Sequence, residues 1–433
     1  LLALDQVLVV DVAVILDDLG APGHREGVAH GDQLLADDGA DAVAVPRRTQ
    51  IVEYDGDVDD EDLIEREEMV VTVSHGGYIK RTPLADYRAQ KRGGKGLSAM
   101  ATKDEDFVTR LFVGNTHTMV LFFTTDGMVF AMKVWRLPLG GRAARGKAVV
   151  NLLPIQPGVS IAAMLPVDAP EEEWDRLQIV FATSKGDVRR NALSDFTNVK
   201  SNGKIAMKLE EGVALVDAAI CDEESDFLLT TALGKAIRFP VTEVRVFKGR
   251  DSTGVRGVRL AGDDAVVSMA VLRALAVTPE ERAAYFKMRR AVAGELGEED
   301  AAGAEEEAVA DIAIGQERYA ELSAQEQLIL TISSRGYGKR TSSLEYRTAG
   351  RGGQGVTAME LGARGGRVVS SFPVEEDDQI MLVTNAGQSI RTGVGGVSRQ
   401  SRAASGVRVL NAAEAEDVVS VARLAETGEE DEA

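Results

Sequence analysis

Gln90, Lys91, Arg92, Gly93, Gly94, Lys95 and Gly96 set three cations among three glycines. A glycine has no Cβ, so the backbone N–H groups of such a loop can approach an anion closely while the cations neutralise it. The chemistry is phosphate recognition, not bond making. The loop lacks the GxxxxGK-Ser/Thr pattern of a nucleotide-binding turn, because Gly96 is followed by Leu97 and an apolar run. His75 and His117 have no second ligand at metal-binding spacing, and Cys221 is the single cysteine. No catalytic residue, metal site or bound cofactor is therefore expected. Three neutralised phosphates give a slope of log affinity against log salt of only roughly −3, against about −10 for a strong duplex binder. Other cations must share the work.

The elements that would supply them are repeated. Gly77 to Met100 reads GYIKRTPLADYRAQKRGGKGLSAM and Gly336 to Met359 reads GYGKRTSSLEYRTAGRGGQGVTAM, with 13 of 24 positions identical. The same frame recurs around Gly77, Gly127, Gly186, Gly234, Gly336 and Gly387, each between two β-branched apolar runs. Such a pattern is a hairpin signal, with glycine supplying the positive φ of the turn. A second glycine follows 17 to 20 residues later, at Gly96, Gly146, Gly203, Gly254, Gly355 and Gly406. The expected unit is one four-stranded sheet of about 50 residues, and six of them make an all-β, propeller-like array.

Four residues after the turn glycine stand Arg81, Arg190, Arg238, Arg340 and Arg391, with Ala131 as the exception. The loops before the second glycine carry Arg142, Arg145 and Lys147, then Lys200 and Lys204, Lys248 and Arg250, Arg347 and Arg351, and Arg399 and Arg402. Equivalent loops of a closed array face one edge, so all these cations are expected on a curved basic rim. A curved rim bends its ligand, and no recognition helix is visible, so contacts to the backbone of duplex DNA with weak sequence preference are expected.

Composition agrees. Aromatic residues are 5% of the 433, and charged residues 27% with a net charge of −20. Residues 1–68, 273–325 and 424–433 together hold 26 excess acids, so the remainder carries +6. Its acids are expected in separate runs, such as Glu171 to Glu173 and Glu375 to Asp378. The 102-residue gap between Gly234 and Gly336 contains an Ala- and Glu-rich stretch, expected as a helical and acidic insertion at about 273–325 between units four and five. A lone cysteine excludes a disulfide framework and suits a reducing, cytoplasmic compartment, and no apolar run is long enough to span a membrane. Trp135 and Trp174 are read as packing residues.

The box Gln90 to Gly96, the segment His75 to Pro83 and the six units resemble the C-terminal domain of the DNA gyrase A subunit, over about residues 47 to 423. The resemblance implies a six-bladed β-pinwheel at 69–423 that wraps duplex DNA with positive handedness, the box being needed for wrapping. It implies as partners the rest of the gyrase A subunit, together with the gyrase B subunit, in an A2B2 assembly whose ATP and magnesium bind elsewhere. Lys91 stands where the family's box has arginine, which keeps the charge but loses the planar fork. None of Tyr54, Tyr78, Tyr87, Tyr285, Tyr319, Tyr337 or Tyr346 lies in the context of the family's DNA-cleaving tyrosine, so no cleavage is expected of this chain. Residues 1–46 do not resemble the family and are expected to be a gene-calling artefact or a disordered segment of a truncated chain; 47–68 read as an acidic linker and 424–433 as an acidic tail that would compete with DNA for the rim. The alternatives are the equivalent domain of topoisomerase IV and, in another class, a propeller-like protein-interaction scaffold.

Overall fold

The computed structural model describes residues 60–74, 76–86, 108–141, 144–249, 252–293, 314–362, 366–385, 389–411 and 416–424. The chain divides into two units, 1–63 and 64–433. Of the first, only the 3-10 turn Asp60–Leu63 is described. The box Gln90 to Gly96, with Arg142, Arg250, His75 and Gly387, lies outside the described residues.

In chain order the strands of the second unit are β1 (Glu68–Ser74), β2 (Tyr78–Pro83), β3 (Val108–Asn115), β4 (Met119–Thr124), β5 (Met128–Lys133), β6 (Lys147–Ala148), β7 (Ile161–Val167) and β8 (Gln178–Thr183). Then come β9 (Asp187–Ala192), β10 (Lys204–Ile205), β11 (Leu215–Cys221), β12 (Ser225–Thr231), β13 (Lys235–Pro240), β14 (Val255–Arg256) and β15 (Val266–Arg273). Two helices follow, α1 (Pro279–Ala293) and α2 (Gln316–Gln325), which are the insertion. The array resumes with β16 (Leu328–Ser333), β17 (Tyr337–Ser342), β18 (Val356–Thr357), β19 (Val368–Val374), β20 (Gln379–Thr384), β21 (Ser389–Gly393), β22 (Val407–Arg408) and β23 (Val418–Leu424).

These strands form six antiparallel sheets, in the orders β3-β1-β2-β6, β10-β5-β4-β7, β11-β8-β9-β14, β15-β12-β13-β18, β19-β16-β17-β22 and β21-β20-β23. The expected sheet is present, but its fourth strand is not local. Each of the first five blades takes that strand from the unit after it: Lys147–Ala148, which follow the second hairpin, pair with β2 of the first. The last sheet has three strands among the described residues. The inner strands β7, β11, β15 and β19 pack in succession, and β23 packs against both β19 and β3, so blade six meets blade one.

Every sheet buries both faces, which is why the hairpin strands read as continuous apolar runs. In β4, Val120 and Phe122 join the core shared with blade one, while Leu121 and Phe123 join the core shared with blade three. In β8, Ile179 and Phe181 turn back to blade two, and Val180 and Ala182 turn on to blade four. Phe123, Phe181 and Phe196 pack edge to face in the first of these cores, with centroids 5.3–6.0 Å apart. Trp174 is fully buried there, donating Nε1 to the Ala169 carbonyl, and Ala131 packs against the same cluster.

Both sets of glycines have a physical reason. The turn glycines Gly77, Gly127, Gly186, Gly234 and Gly336 have φ between +75° and +86°. The second glycines sit just before the donated strand and lie on the neighbouring blade. A Cβ at Gly146, Gly254 or Gly355 would come within 2.4 Å of the Ile79, Val188 or Ala236 carbonyl oxygen. The interval between the two glycines is thus the length of chain from one hairpin turn to its landing on the preceding sheet.

Candidate nucleic-acid interface

The sequence Lys80-Arg81-Thr82, repeated as Lys339-Arg340-Thr341, holds the loop that precedes each donated strand. Gly140 N–H donates to the Arg81 carbonyl at 3.0 Å, and Gln400 N–H to the Arg340 carbonyl at 2.8 Å. Thr82 Oγ1 donates to Gly140 O at 2.7 Å and Thr341 Oγ1 to Gln400 O at 3.1 Å. Lys80 Nζ donates to Gly141 O at 2.9 Å, and Lys339 Nζ to the carbonyls of Ser401 and Arg402. Arg189 does the same in blade three, reaching the carbonyls of Ser252 and Gly249. Burial pushes the Lys339 ammonium down to about 7, with the Glu345 carboxylate opposing. The same burial holds Lys80 below the usual lysine range.

Among the arginines four residues after the turn, three are buried in the blades and not exposed on the loops. Arg190, Arg238 and Arg340 are 5%, 4% and 5% exposed. Arg238 donates to Asp226 Oδ2 at 2.7 Å, Ser343 O at 2.8 Å and Arg273 O at 3.0 Å. Arg340 donates to Val397 O at 2.5 Å, Glu376 Oε2 at 2.6 Å and Gly395 O at 3.1 Å. Arg81, half-buried, donates to Leu137 O at 2.8 Å, and Arg190 to Gln178 Oε1 at 3.0 Å. Arg190, Arg238 and Arg340 are thus buried within the blades and not presented on the loops. Arg391 alone of the five is exposed, bonded to Gln379. Where Ala131 breaks the rule, its side chain packs against the core cluster that contains buried Trp174.

The loops themselves present a different set of cations. Lys147, Lys200, Lys248, Arg347, Arg351 and Arg399 are exposed. Arg351 is tied down, donating to Glu243 O at 3.1 Å and Arg256 O at 3.2 Å. Lys204 and Arg402 are half-buried and committed to backbone carbonyls, Lys204 to Asp195 and Thr197 and Arg402 to Thr357. Arg145 lies over the Tyr78 ring at 3.7 Å. Exposed Arg245, Arg256 and Arg408 were not among the sequence candidates, although Arg256 and Arg408 both stand two residues after a second glycine, which was the available signal. Arg408 repeats the Arg145 arrangement, over Tyr337 at 5.4 Å.

Acidic groups are also placed differently from the expectation of separate runs. Glu376, from the run at 375–378, lies 2.6 Å from Arg340 and 3.6 Å from Arg399. Glu243 and Glu345 accept the backbone N–H groups of Arg351 and Arg402, fixing the loops from beneath. The carboxylates beside Arg351, Arg399 and Arg402 are therefore already engaged. No cluster of metal-ligating side chains occurs among the described residues, and His117 contacts Thr116 Oγ1 through Nδ1.

The family described as "DNA gyrase C-terminal domain, beta-propeller" matches six segments, 68–115, 118–168, 178–222, 225–273, 327–375 and 378–425, one for each blade. The chain belongs to this family. Residues 274–326, which hold α1 and α2, fall between the fourth and fifth matched segments. Among relatives of this gyrase C-terminal domain, the DNA gyrase A subunit of Rickettsia bellii is 45% identical over 389 residues, covering 90% of this chain and 43% of that protein. The DNA gyrase A subunit of Granulibacter bethesdensis is 46% identical over 393 residues, covering 88% and 42%. The chain thus spans about two fifths of the length of these relatives. A solved DNA gyrase A C-terminal domain superposes with a TM-score of 0.60 at 22% identity, covering 83% of this chain and all of that one. The C-terminal domain of a DNA topoisomerase IV gives 0.59 at 23%, covering 83% and 94%. These two likenesses concern the fold.

Proposed function

We propose that this chain is a DNA-wrapping module of a DNA gyrase A subunit, with duplex DNA running along the perimeter loops. The observation that carries this reading is the construction of those loops. The loops that land on blades one, three, four and five are held by lysine and arginine side chains of those blades, with exposed cations left on described residues of successive loops. Five such cations, Lys147, Lys200, Lys248, Arg347 and Arg399, correspond to a salt slope of about −4.5. The box Gln90 to Gly96 adds about −3 more. Smooth bending of a 20–30 base-pair site costs on the order of 1–6 kcal/mol, which distributed contacts of this number offset.

The 45% identity to a gyrase A relative favours gyrase over topoisomerase IV, which the fold does not separate. In this reading the wrap is of positive handedness and feeds an ATP-dependent strand-passage assembly of two A and two B subunits in the cytoplasm. ATP and magnesium act elsewhere in that assembly, and this chain wraps without cutting. No described helix is long and apolar enough to cross a membrane. Titrating a labelled linear duplex with the chain from 50 to 200 mM salt tests the reading. A slope of about −4.5 or steeper supports it, whereas salt-independent or absent binding returns the chain to the interaction-scaffold class.

A further inference from the structure

The insertion lies outside the family's matched segments, yet its helix α1 reaches the rim. Tyr285 of α1, Leu322 of α2 and Leu344 of blade five form one buried cluster, flanked by Phe286 and Tyr319. This cluster seats α1 beside Glu326, whose side chain is 7% exposed. Arg289 Nη1 donates to Glu326 Oε1 at 2.8 Å, and Tyr285 Oη donates to Oε2 at 3.1 Å. Burial and the Glu326 carboxylate push the Tyr285 phenol up to about 12, so it stays a neutral donor.

Arg399, on the blade-six loop, is the next cation from Glu326. Its Nη1 is 4.0 Å from Glu326 Oε2, and its side chain is 47% exposed. At that distance there is no hydrogen bond. Its other acidic neighbour, Glu376, is 3.6 Å from Arg399 but 2.6 Å from buried Arg340. Both carboxylates beside Arg399 are thus satisfied by closer partners. A buried carboxylate that loses its cation becomes strongly unfavourable and recruits another within reach.

Resting on the DNA-rim reading, we infer that Arg289 is a positioning residue for the rim: by saturating Glu326 it leaves Arg399 free to meet a phosphate. The insertion then sets how many cations blade six offers. Without Arg289, Arg399 turns down onto Glu326 and the rim loses one contact although no rim residue has changed.

The test compares the full chain with Arg399→Ala, Arg289→Met and the double variant Arg289→Met/Glu326→Gln, by duplex binding across salt and by the reactivity of Arg399 toward an arginine-selective dicarbonyl, read by mass spectrometry. Arg399→Ala should make the salt slope shallower by about 0.9. Arg289→Met should match it and protect Arg399 from the reagent, and Glu326→Gln should restore both. Unchanged Arg399 reactivity in Arg289→Met, or protection that Glu326→Gln does not relieve, overturns the inference whatever the DNA result. If reactivity follows the prediction but no variant alters DNA binding, the positioning of Arg399 stands and its role in the DNA rim falls.

Discussion

Arg238 and Lys248 both fall in the repeat and both looked like phosphate ligands, yet the first is buried and the second exposed. Substituting Arg238→Met strands Asp226, whose side chain is 3% exposed, without its cation. Breaking a buried pair in this way costs about 3–5 kcal/mol, read as a lowered midpoint in urea unfolding. Lys248→Ala should instead leave stability within about 0.5 kcal/mol and make the salt slope of DNA binding shallower by about 0.9. The periodic arginine was legible in the sequence, but its direction was not. An arginine that alternates to the buried edge of a strand and one that tops a loop are the same letter, and only the landing of the neighbouring loop separates them. Lys339 carries a second prediction. Its ammonium titrates at about 7 in the folded chain against an ordinary 10.5. Between those values the unfolded chain binds more protons, so stability should rise as pH increases from 7 toward 10.5 and be unaffected by this group below 7. Lys339→Met should flatten that rise in unfolding experiments run from pH 6 to 10. An equal rise in both proteins would contradict the burial of the charged group.

At the level of elements, the hairpins were readable because glycine, β-branched runs and turn spacing all pointed the same way. The donated strand was visible as the apolar run after the second glycine, but its partner was not. Pairing between units depends on where a loop of about a dozen residues lands, which local pattern does not encode. The spacing of glycines is the trace this leaves, and it can be tested. Gly254 has φ +89°, and a Cβ there would meet the Val188 carbonyl oxygen at 2.4 Å. Gly158 has φ +83° with nothing within 4 Å of that position. Gly158→Ala should cost only the backbone strain, about 1–3 kcal/mol. Gly254→Ala should cost more than Gly158→Ala in the same unfolding assay, because β14 must move off β9. The extra loss should be accompanied by faster amide exchange at Val255 and Arg256. Comparable losses for the two variants would mean that the donated strand is not held by this close approach. The insertion was legible as helical from its composition, whereas its contact with the rim through Glu326 was not, because Glu326 and Arg399 are 73 residues apart and belong to different units.

For the whole molecule, the net charge of −20 is a poor guide and the arrangement of engaged acids a better one. Within residues 64–433, the closed order of inner strands, the loops carried from blade to blade and the exposed cations upon them support the proposed wrapping of a polyanion. A wrap of this kind must leave a topological trace, since a duplex that follows a curved perimeter stores writhe. Replacing Lys91, Arg92 and Lys95 with alanine should reduce that trace more than it reduces simple binding, because the box concentrates three cations within five residues of sequence. The most direct measurement is to seal nicked circular DNA with ligase in the presence of the full chain, remove the protein and resolve the topoisomers. The account predicts a shift to positive linking difference that grows with the amount of chain bound and fades as salt rises. A distribution indistinguishable from that of DNA ligated alone, at concentrations where the duplex is saturated, would contradict it.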